Sequence, residues 1–230
     1  MGHHVLAGNP PVEITLRASS RARRISLRIS GLDGRVTLTY PHHVAPAEAL
    51  EFAHSKADWL RARLDATPQL VDVVTGVKIP VEDRLLRISI GSGRRVAVDD
   101  EALYLPKGAM APGALTEAWL KTLARDRLAE ASDRYASRLG RSYTRLTLRD
   151  TRSRWGSCSS SGGLMYSWRL IMAPPDVLDY VAAHEVAHLQ EMHHGPEFWE
   201  LVEELCPAYH APRRWLRENG SGLHRYRFRD

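Results

Sequence analysis

The stretch His184-Glu-Val-Ala-His-Leu-Gln-Glu-Met-His-His194 holds four histidines and two glutamates within eleven residues. His184 and His188 lie four residues apart, so on an α-helix both rings project from one face, one turn from each other. Apolar residues recur at helical spacing along this segment and predict that the helix packs into the core; they are Val177, Leu178, Val181, Val186 and Leu189. The stretch therefore predicts a rigid, core-anchored helix at the centre of the C-terminal part of the chain.

The same helix carries residue types that suit metal-dependent hydrolysis. Two imidazoles on one helix face can bind a single zinc ion. Glu185 projects roughly 100° around the helix from His184, beside the metal rather than on it, where it can accept a proton from water. The HExxH pattern thus predicts a zinc site with Glu185 as catalytic acid/base. The alternative is a polar surface helix, or core histidines held by hydrogen bonds.

A catalytic zinc site usually has three protein ligands and one open position, and the residues after the helix offer several candidates for the third ligand. These candidates are His193, His194, Glu197, Glu200, Glu203 and Glu204. His194 has the ligand spacing of the metzincins, HExxHxxGxxH, but Glu191 occupies the glycine position and no methionine follows His194. The segment from Met192 to Pro196 predicts a turn between two helices, from which a ligand can fold back over the metal.

A second marked stretch, Arg154-Trp-Gly-Ser-Cys-Ser-Ser-Ser-Gly-Gly163, joins two predicted strands. It predicts either a loop at the rim of the active cleft or a tight, glycine-rich connection. Cys158 could act as a thiol nucleophile, although a buried, unreactive thiol is the simpler interpretation. The strand expected over Leu164–Leu170 could bind an extended substrate by strand addition if it lies at a sheet edge. Its Tyr166 and Arg169 are candidates to stabilise an oxyanion, with a structural role as the alternative.

The first third of the chain predicts strands followed by a helix. Apolar residues alternate over Arg24–Ser30 and Arg35–Tyr40, and with Asp33-Gly34 between them they predict a hairpin with one buried face. A helix is expected to begin near Pro46. Its apolar side is expected to consist of Leu50, Ala53, Ala57, Leu60 and Leu64.

The pattern changes near residue 106. Beyond it, a long amphipathic helix is expected from Leu115 to Leu139, ending at Gly140 as a C-terminal cap. We therefore expect an α+β fold: a strand-rich N-terminal domain with one helix over residues 1–106, then a domain over residues 107–230 with a small sheet and the HExxH helix.

The composition is typical of a soluble globular protein. The chain has 230 residues, of which 43% are hydrophobic and 26% charged. No apolar run reaches the ~18 residues of a membrane helix, and the N-terminus lacks the apolar core of a secretory signal. Two cysteines without a CxxC pair exclude a disulfide scaffold and a four-cysteine zinc site, and they predict a cytoplasmic location.

The formal net charge of +5 is unevenly distributed. Six arginines and one acidic residue lie between Thr15 and Tyr40, and six arginines and two acidic residues lie between Ala211 and Asp230. Such patches can bind the phosphates of DNA. The alternative is a solvated basic surface, because arginines alternate with apolar residues in the first patch as on the outer face of a sheet.

Several stretches together resemble the YgjP-like, SprT-related zinc metallopeptidases. They are His184-Glu-Val-Ala-His-Leu-Gln-Glu-Met-His-His-Gly-Pro-Glu-Phe-Trp199, Arg21-Ala-Arg-Arg-Ile-Ser-Leu-Arg28, Lys56-Ala-Asp-Trp-Leu60, Arg154-Trp-Gly-Ser-Cys-Ser159 and Trp168-Arg-Leu-Ile-Met-Ala-Pro174. The resemblance covers nearly the whole chain and implies a zincin-like C-terminal domain. It implies zinc ligands at His184, His188 and His194, with Glu185 as catalytic acid/base. The chain departs from the family pattern at His193, where asparagine is frequent.

The sequence therefore predicts a zinc-dependent peptidase that acts on proteins or peptides through a metal-activated water. Three alternatives stay open. One is a protease that acts on DNA-bound proteins, since SprT-related proteins include such enzymes, and another is a zinc-stabilised interaction module without turnover. Hydrolysis of a non-peptide bond is a third. Glu185 argues against the module, because a purely structural site needs no base.

Overall fold

The computed structural model describes residues 2–30, 34–65 and 69–229. Contacts within the chain group these residues into two compact units, 1–70 and 71–230. Both units combine helices and strands, as the expected α+β class requires. The division falls earlier than residue 106, because the strands between residues 71 and 105 share one hydrophobic core with the helices that follow them. The zincin-like arrangement of the C-terminal part stays a prediction.

The described part of the first unit forms a four-stranded sheet and two helices. Its elements are β1 (Gly2–Leu6), β2 (Val12–Ser19), β3 (Ser26–Ile29), β4 (Val36–Pro41), α1 (Pro46–Ser55) and α2 (Ala57–Asp65). The strand order is β1-β2-β4-β3, with β2 and β4 parallel and both outer pairs antiparallel. The apolar core consists of Leu6, Val12, Ile14, Val36, Leu38, Tyr40, Ala49, Ala53 and Leu60.

The expected hairpin is confirmed by the antiparallel pairing of β3 with β4. Asp33 of its predicted turn lies outside the described residues, and Gly34 has a φ of 68°, which glycine adopts without strain. The expected single helix is instead two helices that meet at Lys56. There the Ser55 hydroxyl donates to the carbonyl of Phe52 at 2.8 Å, a local bond that competes with helix continuation.

The second unit is organised around a long helix. Its elements are β5 (Val71–Asp72), β6 (Lys78–Val81), β7 (Arg84–Ile90), β8 (Ala97–Val98), β9 (Ala102–Leu105), α3 (Pro112–Leu139), β10 (Arg145–Arg149), β11 (Gly156–Cys158), β12 (Gly163–Ser167), α4 (Pro175–Ala187), α5 (Pro196–Leu205), α6 (His210–Asn219) and β13 (Tyr226–Arg227). The predicted end of the long helix is confirmed, since Gly140 caps α3 in the left-handed conformation with a φ of 65°.

The strands of the second unit form small sheets. One has the order β6-β7-β9-β8, another the order β10-β12-β11, and β5 pairs with β13. In the second sheet, β12 pairs in parallel with β10 and antiparallel with β11. Strand addition at Leu164–Leu170 required a sheet edge, and this condition is not met, because β12 is the central strand and β10 and β11 are the edges. The chain leaves β12 after Ser167, since the buried residues Trp168–Met172 form a 3-10 helix rather than a continued strand.

Polar side chains of α3 fix α4 and α5, the two helices on either side of the turn with His188 and His194. Arg134 and Tyr135 of α3 both donate to the carboxylate of Asp179 in α4. Arg138 donates to the carbonyls of Glu204 and Leu205 at 2.9 and 2.8 Å, and so satisfies the last turn of α5. Within the residues that the structure covers, none of the helices has the length and apolar character needed to cross a bilayer.

Candidate active site

Three histidines converge at the end of α4. His184 lies in the last turn of α4, His188 directly follows the helix, and His194 lies in the turn before α5. Each ring offers one nitrogen, and these three nitrogens all lie within 4.8 Å of one another. The Nε2 atoms of His184 and His194 are 3.1 Å apart. Two nitrogens bound tetrahedrally to zinc lie about 3.3 Å apart, so the spacing fits a single divalent cation.

The surroundings keep the first two imidazoles neutral, which is the form that binds metal. Burial and, to a smaller extent, the neighbouring His188, His194 and Arg213 together lower the pKa of His184 to about 3. Burial also lowers the pKa of His188, partly offset by a bond to the carbonyl of Glu191. In that bond Nδ1–H of His188 donates at 2.9 Å, which directs Nε2 towards the other two rings.

Aromatic residues of α5 hold the cluster in place. The ring of Phe198 is fully buried, and its centroid lies 4.5, 4.7 and 4.9 Å from the ring centroids of His188, His194 and His184. Trp199 packs on the same side, with its centroid 5.9 Å from that of His194 in a stacked arrangement. The turn that carries His194 is therefore seated against the histidines of α4 by the first residues of the next helix.

Among the candidates for a third ligand, the fold gathers His194. The exposed His193 is adjacent in sequence but is not part of the cluster, and neither is any of the α5 carboxylates. The difference arises from the turn, which directs consecutive side chains to different sides. The spacing of these residues in the sequence did not show which of them is the third ligand.

Glu185 lies beside the histidine cluster and is only 5% exposed. Burial raises the pKa of its carboxyl, the positive charge of Arg154 and a hydrogen bond donated by the backbone N–H of Cys158 lower it, and the net result is a pKa of about 8. A carboxyl with a pKa near neutrality can both accept and release a proton under physiological conditions. The arrangement therefore supplies a proton-transfer group next to a potential metal site.

The strand β11 provides the surroundings of Glu185. The N–H of Ser159 donates to the carbonyl of Gly163, and the N–H of Ser167 donates to the carbonyl of Trp155. Backbone groups alternate in direction along a strand, so those of Gly156 and Cys158 face away from β12. Gly156 is the point of closest approach, because a Cβ there would lie 2.5 Å from Cγ of Glu185.

Residues of the Arg154–Gly163 stretch therefore form part of the surroundings of Glu185, and its position at the rim of a cleft stays a prediction. Neither Gly156 nor Arg154 was predicted from the sequence to have a specific role. The sequence feature that could have indicated the contact with Glu185 is the glycine within a strand, because such a glycine often lies where another group closely approaches the backbone. Which group approaches it depends on the packing of α4 against β11.

Tyr166 and Arg169, the candidate oxyanion stabilisers, are engaged elsewhere. The hydroxyl of the buried Tyr166 forms a 3.0 Å hydrogen bond with the hydroxyl of Ser132. Arg169 donates to the carboxylate of Asp150 at 2.6 and 3.0 Å and to two backbone carbonyls at 3.0 and 3.1 Å. These bonds support the structural interpretation of both residues.

The thiol of Cys158 does not have the surroundings of a nucleophile. Burial and the nearby Glu185 raise its pKa, so the protonated form is favoured. Reactive cysteines instead lie in electropositive surroundings that stabilise the thiolate. The geometry therefore supports the interpretation of Cys158 as an unreactive thiol whose backbone, rather than its sulfur, contributes to the site.

Comparisons with known proteins identify the family of the chain. No curated protein matches the chain significantly. Among solved structures, the metallopeptidase zymogen of Pyrococcus abyssi abylysin shares 20% sequence identity with a TM-score of 0.36, over 40% of this chain and 92% of that one. The model of the YgjP-like metallopeptidase domain matches residues 23–219. Because this match spans most of the sequence, the chain belongs to the YgjP-like metallopeptidase family.

Proposed function

We propose that this metallopeptidase is a zinc-dependent peptidase in which His184, His188 and His194 hold the metal and Glu185 is the general base. The observation that carries the proposal is the convergence of three imidazole nitrogens within 4.8 Å beside a buried carboxyl. The chemistry of the donor set fits zinc, which favours imidazole ligands and has no redox chemistry of its own.

Zinc bound there supplies Lewis acidity, which lowers the pKa of water in the site and polarises the substrate carbonyl. Glu185 accepts the proton of the attacking water and then delivers it to the leaving amine. The two transfers need a carboxyl that is neither strongly acidic nor permanently protonated. Burial raises its pKa, and the N–H of Cys158, the charge of Arg154 and a nearby cation lower it.

The composition of the cluster favours catalysis over a structural role. Structural zinc sites usually have four protein ligands, whereas catalytic sites keep one position open. Among the residues that the structure describes, no fourth histidine, cysteine or carboxylate joins the three histidines. A three-ligand set beside Glu185 therefore supports an enzyme rather than a non-catalytic zinc-stabilised module.

The direct test compares the wild type with Glu185→Gln, using metal analysis and cleavage of a proteome-derived peptide library. We expect equal zinc content and a loss of hydrolysis of about 10²-fold or more, because the base is removed while the ligands remain. Chelation should abolish wild-type cleavage, and added zinc should restore it. Glu197→Gln, which changes a nearby carboxylate outside the cluster, is the matched control. Full activity of Glu185→Gln would disprove the assignment.

A further inference from the structure

One exposed face of α6 consists of basic residues. His210, Arg213, Arg214 and Arg217 follow the i, i+3, i+4 and i+7 spacing that places side chains on one side of a helix. All four are exposed, and together they line a depression of about 320 Å³ on the surface. We refer to these four residues as the α6 basic face.

The arginines of this face have few anionic partners within the protein. In the described residues, Arg213 and Arg214 form no ion pair, and Arg217 has a 3.8 Å contact with its exposed neighbour Glu218. Like charges one turn apart on a helix repel each other. Apart from the contact with Glu218, the positive charges on this helix face are not balanced by acidic side chains of the described residues. The face is therefore suited to an anionic ligand.

The α6 basic face begins next to the metal-binding histidines. The guanidinium of Arg213 lies 4.2 Å from the centroid of the Trp199 ring, and this ring lies 5.7 and 5.9 Å from the rings of His184 and His194. Arg213 is thus on the order of 10 Å from the histidine cluster, the length of about three residues of an extended peptide. Its stacking on Trp199 fixes the guanidinium in one place, so less entropy is lost on binding.

We propose that the α6 basic face is a subsite that binds acidic side chains of a peptide substrate, within about three residues of the cleaved bond. The proposal rests on the peptidase function proposed above. Guanidinium groups bind carboxylates through paired, charge-assisted hydrogen bonds. The helix of ten residues spans roughly 15 Å, which matches four or five extended residues and therefore a short acidic segment.

The first experiment measures cleavage by the metal-loaded enzyme. Peptides from the library that the wild type cleaves are synthesised in pairs, with glutamate or glutamine at each of the three positions on either side of the cleaved bond. We expect kcat/KM to be about 10-fold higher for the glutamate form at one or more positions. In the double variant Arg214→Gln/Arg217→Gln this ratio should fall towards 1, and Arg214→Lys/Arg217→Lys should restore part of it. Arg213 is left unchanged because it packs on Trp199.

The matched control is Arg94→Gln/Arg95→Gln, which removes the same charge from another exposed segment of the second unit. Both double variants remove two positive charges and so weaken general electrostatic attraction equally. The Arg94→Gln/Arg95→Gln variant should nevertheless keep the wild-type preference for glutamate peptides, because its α6 basic face is intact. Equal cleavage of glutamate and glutamine peptides by the wild type would overturn the proposal. The same loss of preference in both double variants would also overturn it, because the α6 basic face would then have no specific role.

The second experiment measures binding separately from turnover. Fluorescence anisotropy with metal-loaded Glu185→Gln compares a labelled acidic peptide, its glutamine counterpart and a DNA duplex. We expect the acidic peptide to bind at least about 5-fold more tightly than its glutamine counterpart. This difference should disappear when Arg214→Gln and Arg217→Gln are added to Glu185→Gln. Binding without any wild-type cleavage would support the peptide site and disprove the peptidase function. Tighter binding of DNA at this face than of the acidic peptide would overturn the proposal.

Discussion

The backbone of Gly156 lies directly against the carboxylate of Glu185: a Cβ on Gly156 would be 2.5 Å from Oε1. No side chain can share this space while Glu185 keeps its position. The carboxylate is the flexible end of a side chain, so it would move before the strand or the helix does. Gly156 therefore acts as a positioning residue for the proposed general base.

The first prediction follows from this contact. Gly156→Ala should displace the carboxylate of Glu185 and lower kcat by about 10²-fold, because a shift of about 1 Å in a reacting group has an effect of that size. Zinc affinity should be unchanged, since the three histidine ligands remain and Gly156 is not one of them. The measurements are steady-state kinetics and zinc titration.

Gly222→Ala is the matched control for that variant, because a Cβ at Gly222 would meet no atom within 4 Å. It should retain wild-type kinetics. Wild-type kcat in Gly156→Ala would show that the carboxylate tolerates displacement, and the positioning role would then be wrong.

The second prediction separates the two adjacent histidines of the turn. His194→Ala should weaken zinc binding by more than about 100-fold, the upper range for residues that only support a ligand, and should abolish cleavage. His193→Ala should preserve both properties, because His193 is exposed and outside the cluster. Competition with a zinc chelator gives the two affinities. The reverse outcome would assign the third ligand to His193.

His188→Ala should lose both the metal and the activity. Its ring is held by the carbonyl of Glu191, so the wild-type nitrogen is already directed to the metal position. Full zinc occupancy in this variant, measured by elemental analysis, would contradict the ligand set.

The third prediction concerns the pH dependence of the metal-free protein. The pKa of Glu185 is raised to about 8 by burial. A carboxyl with a higher pKa in the folded state binds more protons there than when unfolded, so ionisation destabilises the fold as pH rises towards 8. Metal-free Glu185→Gln should therefore melt roughly 5 °C above the metal-free wild type at pH 8, and at nearly the same temperature at pH 4.5.

Bound zinc should reduce this difference, because a nearby cation stabilises the ionised carboxylate. Calorimetry of both proteins with and without zinc at the two pH values provides the four comparisons. A difference between the metal-free proteins that is constant with pH would show that Glu185 does not have a raised pKa.

The fourth prediction tests the structural interpretation of Arg169. Arg169→Ala should lower the free energy of unfolding by about 3 kcal/mol, because it leaves Asp150 and two backbone carbonyls without their donor. Arg227→Ala removes a similar two-bond pairing with Asp72 at an exposed position, and should have little effect. Chemical denaturation of both variants checks the contrast. Unchanged stability together with impaired cleavage in Arg169→Ala would instead favour an active-site role.

The features that were predicted from the sequence are those encoded by local spacing. The periodicity around His184 indicated the helix, and Gly140 marked the end of α3. The hairpin of β3 and β4 followed from alternation of apolar residues. In each case the relevant interactions occur within a few turns of helix or between adjacent strands, so a short window of sequence contains them.

The features that were missed depend on contacts between distant parts of the chain. The contact of Gly156 with Glu185 arises from the packing of β11 on α4, which no periodicity specifies. The unit boundary falls before Val71 because the following strands share a hydrophobic core with α3. The apolar run after Ser167 is buried in either a strand or a 3-10 helix, so its hydrophobicity did not distinguish them.

The bond from the N–H of Cys158 to Glu185 has a consequence for handling the protein. At this partly buried position, an N–H without an acceptor costs about 1–3 kcal/mol, which favours local opening and aggregation during storage. Glutamine keeps a carbonyl oxygen that can accept the bond, whereas alanine leaves the donor open. For crystallisation or long storage of an inert form, glutamine at position 185 is therefore the safer replacement.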